Sequence, residues 1–289
     1  MRRGWRTVTG LVRDPAGRFS WLKLAVLAFA LSHVAVLLLR WRLHDLGPRP
    51  ITEAIHVTGL WALRFLLLSL AVTPARAVLD WGRVLMLRRM LGVTAACYAG
   101  LHLTLYALDQ KWRLLHVASE IALRFYLTIG FVALLGLLAL AVTSTDGWQR
   151  ALGQRWKRLH RLVYAIGVLA LFHYAIQSKA NVGEAVFLAG LFVWLMAWRR
   201  LPRRWQQKLW PLGPLALGAG AAASVIEAAW YAVRNHVDPM LVWATNFDLS
   251  YGPRPAVWVL IVGALLLALA ALRRLRKRRA LPRGAVRRA

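Results

Sequence analysis

LGVTAACYAGLHLTLYAL, residues 91–108, is apolar but for its hydroxyl side chains, Cys97 and a single imidazole at His102. LVYAIGVLALFHYAIQ, residues 162–177, repeats that character and carries His173. A bilayer core of about 30 Å is crossed by roughly 20 helical residues, so each stretch reads as a membrane span. Runs of the same order occur at 21–39, 54–73, 121–142, 185–198, 212–233 and 255–272, eight in all. The wider composition agrees: 59% of the 289 residues are hydrophobic and the mean hydropathy is +0.50. The fold class expected is an all-α integral membrane protein.

The formal charge of +28 invites a nucleic-acid reading, which the distribution of the basic residues removes. With the N-terminus inside, segments 1–23, 74–90, 143–161, 199–211 and 273–289 hold 29 of the 39 Lys and Arg. The outer loops hold nine, and Arg64 lies within a span. That bias places both termini in the cytoplasm. No nucleic acid is expected, and membrane lipids are the expected surroundings. The basic run from Arg273 to Arg288 adds an attraction for anionic lipid.

Orientation then sorts the histidines. Spans three and five both run outward; His102 lies 13 residues after Arg89 and His173 lies 12 after Arg161. Both therefore stand about 18–20 Å above the inner surface. One imidazole from each of two helices at one level can hold a haem iron from both sides, which favours electron transfer over oxygen chemistry. His160 falls near the inner surface, where the matching position on span three is Arg88. His116 belongs to an outer loop, His33 has no partner at its depth, and His44, His56 and His236 receive no role. Arg64, deep in span two, needs an anionic partner; a haem propionate and Glu227 are the two on offer. The single Cys97 excludes a disulfide framework and Cys-based zinc or iron–sulfur sites.

Several spaced stretches resemble one family: Thr58-Gly59 with Arg64 to Leu67, Thr73 to Arg76, Arg88 to Gly92, Leu101 to Thr104 with Tyr106, Arg124 with Tyr126 to Thr128, Thr143 to Thr145, Leu152-Gly153, Trp156, Leu159-His160, Val163-Tyr164 and His173-Tyr174. They resemble the MsrQ family, the haem-binding membrane subunits of bacterial methionine sulfoxide reductase systems, within the ferric-reductase-like superfamily. The resemblance covers about residues 44–200.

It implies a six-helix ferric-reductase-like haem-binding bundle with two extra C-terminal transmembrane helices. The domains expected are 1–43, the N-terminus and first span; 44–200, the haem core; and 201–289, a two-helix extension with a basic tail. It further implies a haem b held by His102 and His173; Arg88 stands where the wider superfamily has a second inner histidine, which leaves His160 for an inner cofactor or a shared ligand role. FMN is implied, and a quinone is a further candidate.

The implied role is an electron-transfer subunit of the inner membrane, not the catalytic subunit. Electrons would come from the quinone pool or a cytoplasmic flavin reductase. They would go to a periplasmic molybdopterin-containing methionine sulfoxide reductase that repairs oxidised proteins. Phe125 departs from the Pro expected there, and the chain continues beyond the family's usual end. The rival readings are a ferric-reductase-type subunit with another periplasmic acceptor and a non-redox transporter. Against the transporter, the sequence is read as having no internal repeat and no paired broken helices. Against a self-contained reductase, it carries no Gly-rich dinucleotide motif.

Overall fold

A computed structural model describes residues 12–13, 17–179, 181–250 and 252–280. Arg2, Arg3, Arg6 and the basic tail beyond Ala280 lie outside the described residues. The long helices are α1 (Trp21–Arg42), α2 (Pro50–Leu79) and α3 (Leu87–Asp109). After these come the shorter α4 (Leu114–Leu123), then α5 (Phe125–Val142), α6 (Asp146–Leu152), α7 (Gln154–His160) and α8 (Val163–Gln177). The last part holds α9 (Gly183–Arg200), α10 (Arg203–Gln206), α11 (Leu212–Asn235), α12 (Pro239–Ala244) and α13 (Pro255–Ala280). No strand occurs among the described residues.

Seven helical stretches among the described residues are long and apolar enough to cross a membrane. The sixth expected span, 185–198, forms α9, whose 18 residues include Glu184, Arg199 and Arg200. These charges sit at its two ends, and its length of about 27 Å approaches the hydrocarbon thickness. The fourth expected span, 121–142, starts later than the sequence suggests. Arg124 is extended, with φ −103° and ψ 105°, so residues 121–123 finish α4 and α5 begins at Phe125. The chain therefore breaks its helix here without the proline that the family pattern leads one to expect.

The chain divides into two compact units. One comprises the described residues up to Val72 together with Val84–Gln177; the other comprises Thr73–Arg83 and the described residues from Ser178 onward. In the first, Ala30 is the one buried residue of α1. Its carbonyl there accepts a hydrogen bond from the Tyr98 hydroxyl at 2.5 Å. The exposed apolar faces of α1 suit contact with lipid. Arg89 pairs with Asp146 at 2.6 Å, and the Trp156 indole donates to Thr143 O at 2.8 Å, which ties α6 and α7 to their neighbours.

In the second unit α9, α11 and α13 pack through small residues. A Cβ added at Gly190 would meet Val259 at 2.7 Å, and one at Gly263 would meet Ala216 at 2.5 Å. Lipid gives apolar helices no hydrophobic drive to associate, so close van der Waals approach through small residues supplies it. The Gly- and Ala-rich run 213–224 provides this face on α11.

Glu227 is 1% exposed, and its Oε1 pairs with Arg254 Nη2 at 2.6 Å. The carboxylate that the sequence offered to Arg64 is thus taken by Arg254. Glu227 Oε2 and Arg254 Nε find no further partner. Arg254 keeps about a third of its side chain exposed, whereas Glu227 does not reach solvent. Arg254→Gln is therefore expected to cost more than Glu227→Gln, about 3 kcal/mol, because it strands the deeper charge. Thermal unfolding of the two variants checks the order.

Candidate functional site

α2 and α5 each present a carbonyl uncovered by a glycine one turn further on. In a helix the flank of carbonyl i is covered by the side chain at i+4. At Gly59, following Ile55, and at Gly130, following Tyr126, no side chain covers it. The second lone pair of each oxygen is open to a donor beyond the helix ladder. His102 on α3 takes the first, its Nδ1 donating to Ile55 O at 2.8 Å. His173 on α8 takes the second, its Nδ1 donating to Tyr126 O, also at 2.8 Å. Each ring lies against its glycine. A Cβ at Gly59 would stand 2.8 Å from His102 Nδ1, and one at Gly130 would stand 2.6 Å from His173 Cε1.

A carbonyl only accepts, so the proton resides on Nδ1 and the lone pair on Nε2 of both rings. This is how a metal-binding imidazole is ordinarily held, with its outer nitrogen anchored. The ring centres of His102 and His173 lie 6.4 Å apart, with an angle of 86° between the planes. Two metal–nitrogen bonds of about 2.0 Å, plus roughly an ångström from each nitrogen to its ring centre, span about 6 Å. One metal ion between the rings therefore fits the spacing. Among the described residues no group of three or more His, Cys, Asp or Glu side chains converges on a metal. A metal held by this pair takes its remaining donors from a group it brings with it, and the planar macrocycle of haem is such a group.

The two halves of the site share one spacing. Ile55 and Tyr126, Gly59 and Gly130, and His102 and His173 are all separated by the same 71 residues. Ala62 and Ala133, Leu63 and Leu134, and Leu66 and Leu137 share that offset. The reading that the chain has no internal repeat is corrected: α2–α3 and α5–α8 repeat one ring-holding unit. The sequence signal was a glycine 43 residues ahead of each histidine. It was masked because leucine and alanine dominate every span, and chance matches abound at any offset.

The other sequence-predicted residues do not join this pair. His160 stacks on Trp156, with ring centres 3.8 Å apart. Its nitrogens lie 3.2 Å from Trp156 O and 3.4 Å from Ser144 Oγ. Arg88 is exposed and close enough for its charge to act on His160. Arg64 places its guanidinium 4.6 Å from the centre of the Trp61 ring. His33 packs on that same ring, at 3.5 Å between centres, and its Nδ1 donates to Phe29 O at 2.7 Å. The aromatic set of Phe29, Trp61, Phe65 and Tyr98 around them was not singled out from the sequence.

Residues 58–171 match the family described as ferric reductase like transmembrane component. The protein-methionine-sulfoxide reductase heme-binding subunit MsrQ of Xanthomonas euvesicatoria pv. vesicatoria is 46% identical over 155 residues, which is 53% of this chain and 71% of that protein. The MsrQ of Xanthomonas oryzae pv. oryzae is 41% identical over 187 residues, 60% of this chain and 86% of its own length. That of Rhodospirillum rubrum is 46% identical over 160 residues, 55% and 77% of the two chains. No solved structure matches the chain.

Proposed function

The chain belongs to the MsrQ family of protein-methionine-sulfoxide reductase haem-binding subunits, and from that membership and the facing histidines we propose that it carries electrons across the bacterial inner membrane. The acceptor in this reading is a periplasmic molybdopterin-containing catalytic subunit that reduces methionine sulfoxide in oxidised proteins. The donor is the quinone pool or a cytoplasmic flavin reductase, and both termini are cytoplasmic, as the 29 basic residues on one side support. The observation that carries the reading is the pair of imidazoles 6.4 Å apart, each anchored through Nδ1.

When bound, haem b supplies a one-electron carrier. His102 and His173 are the residues that would hold it, one imidazole from each of α3 and α8. Ile55 O and Tyr126 O fix the tautomer and the ring planes, and Gly59 and Gly130 give the rings room. Arg64, its guanidinium 4.6 Å from the centre of the Trp61 ring, is the cation that would face a haem propionate. His160 and Arg88, with Arg161 nearby in sequence, form the inner position for FMN or a quinone headgroup. In this reading residues 44–200 contain the haem core, and 201–289 form an extension to it.

The test is to purify the full chain from haem-replete cells, record its spectrum, and add in turn a reduced quinone and an NADH-driven flavin reductase. A low-spin haem reduced by one of them supports the relay; a colourless protein overturns it. Oxidation of the reduced protein by the methionine sulfoxide reductase catalytic subunit supports the family's acceptor. Indifference to that subunit, with oxidation by ferric chelates, favours the ferric-reductase-type alternative. His160→Ala is expected to slow reduction from the donor side by about tenfold or more with the haem spectrum retained. An unchanged rate with unchanged flavin content would remove the inner cofactor position.

A further inference from the structure

The second compact unit holds a cleft of about 870 Å³ that neither the histidine pair nor its proposed chemistry uses. Its charged lining is Arg76, Asp80, Arg203, Arg273, Arg274 and Lys277, drawn from the end of α2, from α10 and from the last turns of α13. Five cations face one carboxylate, and that carboxylate is already engaged. Lys277 hydrogen-bonds Asp80 and holds its carboxyl below the usual range, so Asp80 stays ionised and paired. Arg274 donates to Val78 O and Gln207 O, which satisfies carbonyls where α2 and α10 end. Arg273 rests on the face of Trp81, its carbon 4.9 Å from the ring centre. Arg76 and Arg203 form no ion pair among the described residues.

The simplest use of these cations is to cap helices. Each helix C-terminus carries roughly half a negative charge, so even three of them with Asp80 offset only about half of five cations. An excess of roughly two to three positive charges remains, and it is built chiefly of arginine. Arginine presents a planar fork of N–H donors that matches phosphate oxygens two at a time. The volume falls in the range of small-molecule sites and is far larger than an inorganic ion needs.

We propose that the cleft lined by Arg76, Arg203, Arg273 and Arg274 binds a phosphate-bearing ligand, with Arg76 and Arg203 as its free anion-binding donors. The ligand is either the headgroup of an anionic phospholipid or a soluble phosphate ester, which share this chemistry. The inference goes beyond the electron-transfer reading and does not depend on it.

The experiment uses the purified full chain in neutral detergent and follows thermal unfolding. Mixed micelles containing phosphatidylglycerol, matched micelles containing phosphatidylcholine, and sodium pyrophosphate are added separately. The expected result is a rise in Tm with phosphatidylglycerol or pyrophosphate and none with phosphatidylcholine. Arg76→Gln/Arg203→Gln is expected to weaken that response by about tenfold in ligand concentration, while Arg276→Gln, outside the cleft, leaves it unchanged. A response to phosphatidylglycerol that pyrophosphate does not reproduce identifies a lipid headgroup. A response to pyrophosphate alone identifies a soluble ester. No response to either, or an equal loss in Arg276→Gln, overturns the site. If the double variant fails to fold, Arg273→Gln replaces it under the same criteria.

Discussion

His102→Ala and His173→Ala proteins are each expected to emerge from haem-replete cells without the low-spin spectrum of two axial imidazoles. The loss should be total and equal for the two, because neither ring has a substitute. No third His, Cys, Asp or Glu converges with them among the described residues. His160 is held apart by Trp156 and Ser144. Removing a ring should leave the fold standing, since Ile55 O and Tyr126 O keep their helical acceptor role and lose only a second donor, worth about 1 kcal/mol. Added imidazole should restore part of the spectrum by entering the space that the ring left. His33→Ala and His116→Ala serve as controls and should retain full haem. If His160→Ala bleached the protein while His102→Ala did not, the assignment of the pair would be wrong.

Much of this arrangement was legible in the sequence, and the legible part has a common cause. Hydropathy over about 20 residues locates spans whatever their contacts, so each of the eight expected stretches reappears in a helix, seven of them long and apolar enough to cross a membrane. Depth follows from counting along spans, so His102 and His173 could be matched before either had a neighbour. The 121–142 region fell short because Arg124 breaks the helix by its backbone conformation, and Phe125 gives no local signal of that. The carbonyl partners of the two rings were hidden for another reason. Which carbonyl meets which imidazole depends on helix rotation, and a span that is apolar on all sides carries no periodic stripe to report it. The same uniformity concealed the repeat, and it left Glu227 without a known partner until Arg254 was brought to it from 27 residues away.

Gly130 and Gly59 test whether the repeat is a working device. Gly130→Ala would set a methyl carbon 2.6 Å from His173 Cε1 and 2.7 Å from Nδ1, closer than nonbonded carbon and nitrogen approach. The ring is pinned between this glycine and Tyr126 O, so it must leave the carbonyl to clear the methyl. A metal-binding imidazole that loses its outer hydrogen bond typically loses 10- to 100-fold in affinity, and displacement of the ring itself adds to that. Gly130→Ala is therefore expected to lower haem affinity by about 100-fold, and Gly130→Val to abolish it. Gly59→Ala, with its closest approach at 2.8 Å, should follow the same course less steeply. Gly92 and Gly100 lie on α3 with nothing within 4 Å of an added Cβ. Alanine at either should leave the spectrum intact and gain about 1 kcal/mol of helix propensity. Haem titration of the five purified variants, with helical content measured alongside, separates ring displacement from misfolding. Retained affinity in Gly130→Ala would mean that the histidine reaches its ligand without the carbonyl, and the repeat would then be an inheritance of packing alone.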